Sequence, residues 1–123
     1  MNKHEKPVRE VCHGTDVPLT FSLEGVTDEI KLNECFVRAE AIAGGKKAEF
    51  NPQDIVQVSE KELLLPIKTG ELGLGELWIK VEVHLPDQNF GTNYRTEILK
   101  GFTSIIIILW DTSASLRSTR YSD

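Results

Sequence analysis

Hydrophobic and polar side chains alternate with a period of two along much of this chain. The alternation is strictest in residues 77–85, where apolar side chains occupy every odd position, and it recurs in residues 17–23. Successive side chains of a β-strand point to opposite faces of the sheet, so each run predicts a strand with one buried face. No stretch places its apolar residues at the 3.6-residue period of an amphipathic helix.

Turn residues separate further strand-like segments in the first half of the chain. Residues 34–43 alternate and end at Gly44-Gly45, which supplies the positive φ of a tight hairpin turn, and residues 46–50 return as its partner strand. Residues 51–54, Asn-Pro-Gln-Asp, could open a helix, but the β-branched residues that follow favour a strand over residues 55–59. Residues 62–67 then return as another strand.

The second half of the chain ends in one long apolar segment. Residues 86–93 are polar and rich in turn formers, which predicts a hairpin loop after the strand at residues 77–85. Residues 94–110 are too long for one regular strand, and Gly101 is the expected position of a bulge or bend. After Trp110 the composition becomes polar, which predicts a tail that buries little apolar surface.

These elements predict an all-β protein. About seven or eight short strands, regularly spaced turns and the lack of a helix pattern are typical of an immunoglobulin-like antiparallel β-sandwich. A small closed barrel is the alternative architecture. We expect a single sandwich domain over residues 14–110, preceded by an N-terminal segment at residues 1–13 and followed by a polar C-terminal tail at residues 111–123.

Charge and hydropathy narrow the classes of function. The chain has 14 Lys and Arg against 19 Asp and Glu, a formal charge of -5, which argues against a nucleic-acid-binding groove. Its longest apolar run, residues 105–110, is far shorter than the roughly 20 residues that a membrane-spanning helix needs. Residues 1–10 are charged and have no apolar core, unlike a secretory signal. We therefore expect no membrane insertion and a protein that is cytoplasmic when synthesised.

Candidate chemistry is sparse. The three histidines lack the spacing of local metal sites, and no Gly-x-Ser-x-Gly nucleophile motif is present. Cys12 and Cys35 are expected to be small buried hydrophobic residues, with no disulfide required. Asp87, Asn89 and Asn93 could supply oxygen ligands to calcium, but their loop departs from the twelve-residue calcium-binding pattern. We expect no catalytic residue, no metal site and no cofactor, hence a protein that is not an enzyme.

One apolar segment exceeds what a buried strand needs. In residues 105–110 the odd-numbered and the even-numbered positions are both apolar. Two or three large side chains must therefore project from the face opposite the core. At roughly 25 cal/mol per Å2, leaving an Ile and a Trp exposed forgoes several kcal/mol, and such a patch usually marks an interface. The predicted interface residues are Trp78, Ile106, Ile108 and Trp110, and the expected partner is another protein or a second copy of the chain. The alternative is that the tail or a loop covers this face.

Several sequence motifs occur in the order seen in one known family. They are Asp-Val-Pro-Leu-Thr-Phe-Ser-Leu at residues 16–23, Gly-Gly-Lys at 44–46, Leu-Gly-Leu-Gly-Glu-Leu at 72–77 and Leu-Pro-Asp at 85–87. Over about residues 14–109 the chain resembles the immunoglobulin-like N-terminal domain of phage upper baseplate and tail structural proteins. The resemblance implies a non-enzymatic structural or adaptor module, incorporated into a virion or tail-like particle, whose C-terminal extension engages a neighbour.

A second class of function remains open at this point. Trp78, Tyr94 and Trp110 could stack on sugar rings in a β-sandwich that binds carbohydrate or another surface partner. Aromatic residues make up 7% of the chain, which is low for a sugar-binding platform and favours the structural module.

Overall fold

The fold is given by a computed structural model of the chain, which describes residues 7–23 and 34–109. The strands of these residues are β1 (Arg9–Cys12), β2 (Asp16–Ser22), β3 (Phe36–Ala43), β4 (Lys46–Phe50), β5 (Val56–Gln57), β6 (Glu62–Lys68), β7 (Gly75–Pro86) and β8 (Tyr94–Ile108). Two short 3-10 turns, Pro52–Asp54 and Thr69–Glu71, flank β5 and β6.

The strands form two sheets packed as a β-sandwich. One sheet has the order β1-β8-β7-β3-β4 and the other the order β2-β6-β5. The central order β8-β7-β3 corresponds to strands G, F and C of an immunoglobulin domain, and β2-β6-β5 corresponds to B, E and D. The predicted all-β sandwich is therefore confirmed. Its pairing is antiparallel except between β1 and β8, which run parallel, so the first sheet already begins at Arg9.

Alternation along the strands places one side chain in two between the sheets. In β7 the odd-numbered residues Leu77, Val81, Val83 and Leu85 are buried, and β2 and β6 contribute Val17, Leu65 and Ile67. The buried cluster is almost wholly aliphatic. Burial of such side chains stabilises the fold by roughly 1.5–3 kcal/mol each, and this core takes the place of the cysteine pair and tryptophan of antibody domains.

One buried hydroxyl joins two loops at the end of the sandwich. Thr69 is fully buried, and its Oγ1 donates a hydrogen bond to the carbonyl of Thr15 at 2.8 Å. The same oxygen accepts a hydrogen bond from the backbone N–H of Gly14 at 2.9 Å. Because its hydroxyl is buried and bonds to both residues, Thr69 fixes the β1–β2 turn against the chain that leaves β6.

The predicted strand at residues 55–59 is wrong in extent, since β5 has only two residues. The helix-like signal before it is real but short: the backbone N–H of Asn51 donates to Oδ2 of Asp54 at 2.9 Å, which closes a single 3-10 turn. The strand ends early because the chain turns after Gln57: the backbone N–H groups of Val58 and Ser59 both donate to the carbonyl of Glu62. Pro66 of β6 has no N–H and lies toward the other end of β5, where it limits pairing before Val56.

The predicted bend at Gly101 is also misplaced. Gly101 pairs regularly with β7, and β8 continues through it. The register breaks two residues later, because Trp78 pairs with Phe102 while Leu77, its neighbour, pairs with Ile105. Two residues of β8 are thus extra to the ladder, and this is where the long strand bends.

Side-chain and backbone contacts stabilise this bulge. The hydroxyl of Thr103 donates to the carbonyl of Leu77 at 2.8 Å and accepts from the backbone N–H of Ile105 at 3.1 Å. Ser104 has a φ of 67°, in the left-handed region that a serine rarely adopts. The hydroxyl of Thr103 therefore replaces backbone bonds that the bulge removes, which the alternation of apolar residues does not reveal.

Candidate functional site

The five-stranded sheet has one face on the core and an opposite face, here called the outer face, that no described element covers. The outer face carries the even-numbered residues of its three central strands. Among them are Arg38, Glu40 and Ile42 on β3, Trp78, Lys80 and Glu82 on β7, and Ile98, Lys100 and Phe102 on β8.

A group of apolar side chains lies on the outer face, and we call it the outer patch: Ile42, Trp78, Phe102, Ile106 and Ile108. Three of them, Ile42, Trp78 and Phe102, lie side by side on adjacent strands. Ile106 continues the patch beyond the bulge, opposite Glu76. Each member is half-buried rather than enclosed. The patch therefore spans the strands at the end of the sheet that contains the bulge.

Trp78 is the centre of the outer patch. Its ring centroid lies 5.5 Å from that of Phe102, at an interplanar angle of 37°. The indole N–H donates to Oε1 of Glu76 at 3.2 Å, and Nζ of Lys100 lies 5.8 Å from the ring centroid. Because these contacts hold the ring against the sheet, Trp78 presents a fixed apolar surface with a charged border.

The run of isoleucines divides between the two faces of β8. Ile105 and Ile107 enter the core, with exposed fractions of 6% and 1%, whereas Ile106 and Ile108 are half-buried on the outer face. Farther along the same face, Ile98 is 57% exposed. The outer face therefore holds large apolar side chains that the described part of the chain leaves accessible.

The structure brings together three of the four predicted interface residues. Trp78, Ile106 and Ile108 share the outer face, whereas Trp110 and the predicted tail at residues 111–123 lie outside the described residues. Sequence reasoning missed Ile42 and Phe102. The alternation in β3 already places Ile42 on the side of Arg38 and Glu40, so that signal was present.

Phe102 was hidden by the register break. If the strand bent at Gly101, the sequence could not tell which face of the sheet Phe102 lies on. Only the pairing of Phe102 with Trp78 assigns Phe102 to the outer face. No property of the sequence alone marks Thr103 and Ser104 as the residues that are extra to the ladder.

The loop at residues 86–93, which carries the possible calcium ligands, is held by hydrogen bonds within its own hairpin. Oδ1 of Asp87 accepts from the backbone N–H of Asn89 at 3.0 Å, and Oδ2 accepts from Nη1 of Arg95 at 2.9 Å. The backbone hydrogen bond from Asn89, followed by the Arg95 contact, holds the pKa of Asp87 below its ordinary value. Arg95 also contacts Glu97 at 3.3 Å. Both oxygens of Asp87 thus bond within the hairpin, which argues for a structural role.

Two of the three histidines, His13 and His84, lie within the described residues, and both make side-chain contacts, whereas His4 lies outside them. Nε2 of His84 lies 3.4 Å from Oε1 of Glu82, and Nδ1 lies 3.1 Å from the hydroxyl of Thr96. The Nε2 of His13 lies 2.9 Å from the carbonyl of Leu72. Among the described residues, no group of three or more His, Cys, Asp or Glu could hold a metal ion.

The expectation that both cysteines are buried is wrong for Cys12 and only partly right for Cys35. Cys12 is exposed because the buried residue of β1 is its neighbour Val11, and adjacent strand residues face opposite sides. Cys35 is half-buried, and burial, reinforced by the charge of Glu34, raises the pKa of its thiol. A raised pKa keeps Cys35 in its less reactive thiol form.

Two concave regions of the described surface adjoin the central strands of the five-stranded sheet. A groove of about 410 Å3 opens between β2 and β8 and has mainly apolar walls, among them Leu19, Phe21 and Leu99. A depression of about 160 Å3 on the outer face is bordered by Arg38, Lys80 and three glutamates. Neither region places a nucleophile beside a base, so the geometry gives no reaction to assign.

Trp78 and Tyr94, two of the three aromatic residues predicted to bind sugar, do not form one platform, and Trp110 lies outside the described residues. Trp78 pairs with Phe102, whereas Tyr94 pairs with Pro86, eight residues farther along β7. At about 3.3 Å per residue these positions lie roughly 26 Å apart. The ring of Tyr94 packs instead against Phe36, with centroids 5.2 Å apart.

No protein-family model matches the chain, and no curated protein matches it. In residues 7–23 and 34–109, no helix is long and apolar enough to cross a membrane.

Proposed function

We propose that this protein is a non-enzymatic structural or adaptor module that docks a protein partner through the outer patch. The observation that carries the proposal is the half-buried group of Ile42, Trp78, Phe102, Ile106 and Ile108 on a sheet face that residues 7–23 and 34–109 leave uncovered. An apolar patch with a charged border is typical of protein interfaces, in which aromatic residues supply much of the binding energy.

The proposed setting is a multi-subunit particle of the phage tail or baseplate type. The motifs at residues 16–23, 44–46, 72–77 and 85–87 support this setting through their resemblance to upper baseplate proteins. In that setting the chain is made in the cytoplasm and then incorporated into a virion or tail-like particle. Antibody labelling of particles purified from the producing cells tests the setting, and particles that lack the chain would refute it.

Site-specific photo-crosslinking tests the docking role. A benzophenone amino acid replaces Ile106 in the outer patch, and in a control protein it replaces Gln57, an exposed residue of β5 on the other sheet. After irradiation in producing cells, we expect covalent adducts with protein from position 106 and few or none from position 57. Mass spectrometry of the adduct then identifies the partner chain.

The same experiment can refute the proposal. If position 106 gives no protein adduct, or gives the same adducts as position 57, then the outer patch is an ordinary solvated sheet face. A circular dichroism spectrum that matches the unmodified protein establishes that each substituted chain is folded before irradiation.

A further inference from the structure

We infer that the partner on the outer face is a second copy of the same chain. In this arrangement the two five-stranded sheets pack face to face about a twofold axis that runs parallel to the strands, between β3 and β7. The inference rests on the proposed function, because it names the partner of the outer patch. The charges that border the patch are its main support.

Four charged side chains form one row across the outer face, with their signs grouped. Lys100, Lys80, Glu40 and Glu49 lie opposite one another on β8, β7, β3 and β4. A half-turn about an axis between β7 and β3 reverses this order. Lys80 of one copy then faces Glu40 of the second copy, and Lys100 faces Glu49 of the second copy. Every charge in the row meets its opposite.

The neighbouring rows fit the same axis. Arg38 and Glu82 form the next charged pair, and Ile42 and Trp78 form the apolar pair on the other side of the row. The half-turn places Glu82 over Arg38 of the second copy and Trp78 over Ile42 of the second copy. On the outer strands it places Phe102 over Lys47 of the second copy, and Ile106 and Ile108 lie at the edge of the contact, past the end of β3 and β4. An interface about a twofold axis uses the same surface of both chains, so it requires this kind of self-complementary pattern.

The ion pairs within one chain leave the row incompletely neutralised. Lys47 forms salt bridges with both acids of the row: its Nζ lies 3.5 Å from Oε2 of Glu40 and 3.9 Å from Oε2 of Glu49. Over the described ranges, neither Lys80 nor Lys100 forms a salt bridge. A second copy supplies one more cation to each acid and one acid to each of these lysines.

The size of the face predicts a weak dimer. The contact face is four strands wide and about seven residues long. With strands about 4.8 Å apart and a rise of about 3.3 Å per residue, it measures roughly 19 Å by 23 Å, or about 450 Å2 per copy. Twice that area lies below the roughly 1,200–2,000 Å2 of stable complexes, so we expect dissociation in the micromolar range. Because the border contacts are ionic, added salt should weaken the dimer.

Charge reversal tests the arrangement by sedimentation equilibrium. The contact tested is that between residue 80 of one copy and residue 40 of the other. In the Lys80→Glu variant both positions are acidic, and in the Glu40→Lys variant both are basic. Each variant alone places two like-charge contacts in the dimer, so its dissociation constant should rise about tenfold or more. When the two variants are mixed, every contact is attractive again, and a heterodimer should form.

Controls separate this effect from local damage to the sheet. Lys68→Glu makes the same charge change on an exposed residue of β6 and should leave the dimer unchanged. Thermal unfolding establishes that each variant is folded. The heterodimer is the decisive result, because the lost cross-strand pair of Lys80 and Glu40 within each chain cannot be restored by mixing.

Three results would overturn the inference: wild-type protein that stays monomeric at about 1 mM, single variants that dimerise like the wild type, or mixed variants that stay monomeric. Adducts from position 106 to a different protein, together with a monomeric wild type, would overturn this inference and leave the proposed docking function standing. A monomer without protein adducts would refute both.

Discussion

Leu77 and Trp78 are adjacent in β7 and face opposite sides of the same sheet. Leu77 is fully buried between the sheets, whereas Trp78 is half-buried on the outer face and contacts Phe102. The two residues therefore divide the roles of the strand. Leu77 belongs to the core that stabilises the sandwich, and Trp78 belongs to the surface that we propose for docking.

Truncation of these neighbours should separate stability from binding. Leu77→Ala should lower the free energy of unfolding by about 2–5 kcal/mol, because it removes fully buried methyl groups and leaves a cavity. Trp78→Ala should cost only about 1 kcal/mol, because the ring keeps much of its solvent contact, yet it should weaken self-association. Urea unfolding and sedimentation measure the two effects. Equal losses of stability would show that Trp78 acts as a core residue.

The two glycines of the β3–β4 hairpin should respond differently to alanine. Both have positive φ values, 58° for Gly44 and 79° for Gly45. A Cβ on Gly44 would lie 2.6 Å from the backbone of Gly73, whereas a Cβ on Gly45 would meet nothing within 4 Å. Gly45→Ala should therefore lower the free energy of unfolding by about 1–2 kcal/mol, from its left-handed backbone alone. Gly44→Ala should lower it by about 1–3 kcal/mol more than Gly45→Ala does, because its Cβ also meets the backbone of Gly73. Thermal unfolding compares them, and similar costs would contradict the close approach.

The hydrogen bonds of Asp87 should make stability depend on pH in acid. The hydrogen bond from the backbone of Asn89, followed by that from Arg95, holds the pKa of Asp87 below its ordinary value of 3.8 in the folded state, so these bonds stabilise the fold above that pH. This contribution is lost as the pH falls below 3.8 and through the folded pKa. Asp87→Asn should be less stable than wild type at neutral pH and equally stable in strong acid. Urea unfolding across this range measures the difference.

Glu71→Gln is the control for the comparison of Asp87→Asn with wild type. It removes an exposed carboxylate from a turn at a distance from the β7–β8 hairpin that contains Asp87. If the control and Asp87→Asn lose the same stability at neutral pH, then the hydrogen bonds of Asp87 do not stabilise the hairpin.

Much of the fold could be predicted from the sequence because burial on one face of a strand imposes a period of two. That pattern correctly located β2, β3, β6 and β7. It did not predict β1, where four residues pair parallel with β8, since so short a strand carries almost no alternation. It also misplaced the bend in β8, because a bulge at Thr103 and Ser104 depends on a hydroxyl contact with β7 rather than on hydrophobicity.

The candidate site could be predicted only in part. The surplus of apolar residues at 105–108 pointed to an uncovered face and identified Ile106 and Ile108. The charge row that borders the patch could not be found, because it depends on the register of four strands. Lys100 and Glu49 are far apart in sequence and come into line only through the pairing of β8, β7, β3 and β4.

Hydroxyl-radical footprinting tests most directly whether the outer patch docks protein in its natural setting. Oxidation of Trp78 is compared between producing cells and dilute purified protein, with Phe90, 48% exposed in the β7–β8 loop, as the aromatic control. We expect Trp78 to be oxidised several-fold less in cells and Phe90 to be oxidised equally in both samples. Equal oxidation of Trp78 in both would contradict the docking role of the outer patch.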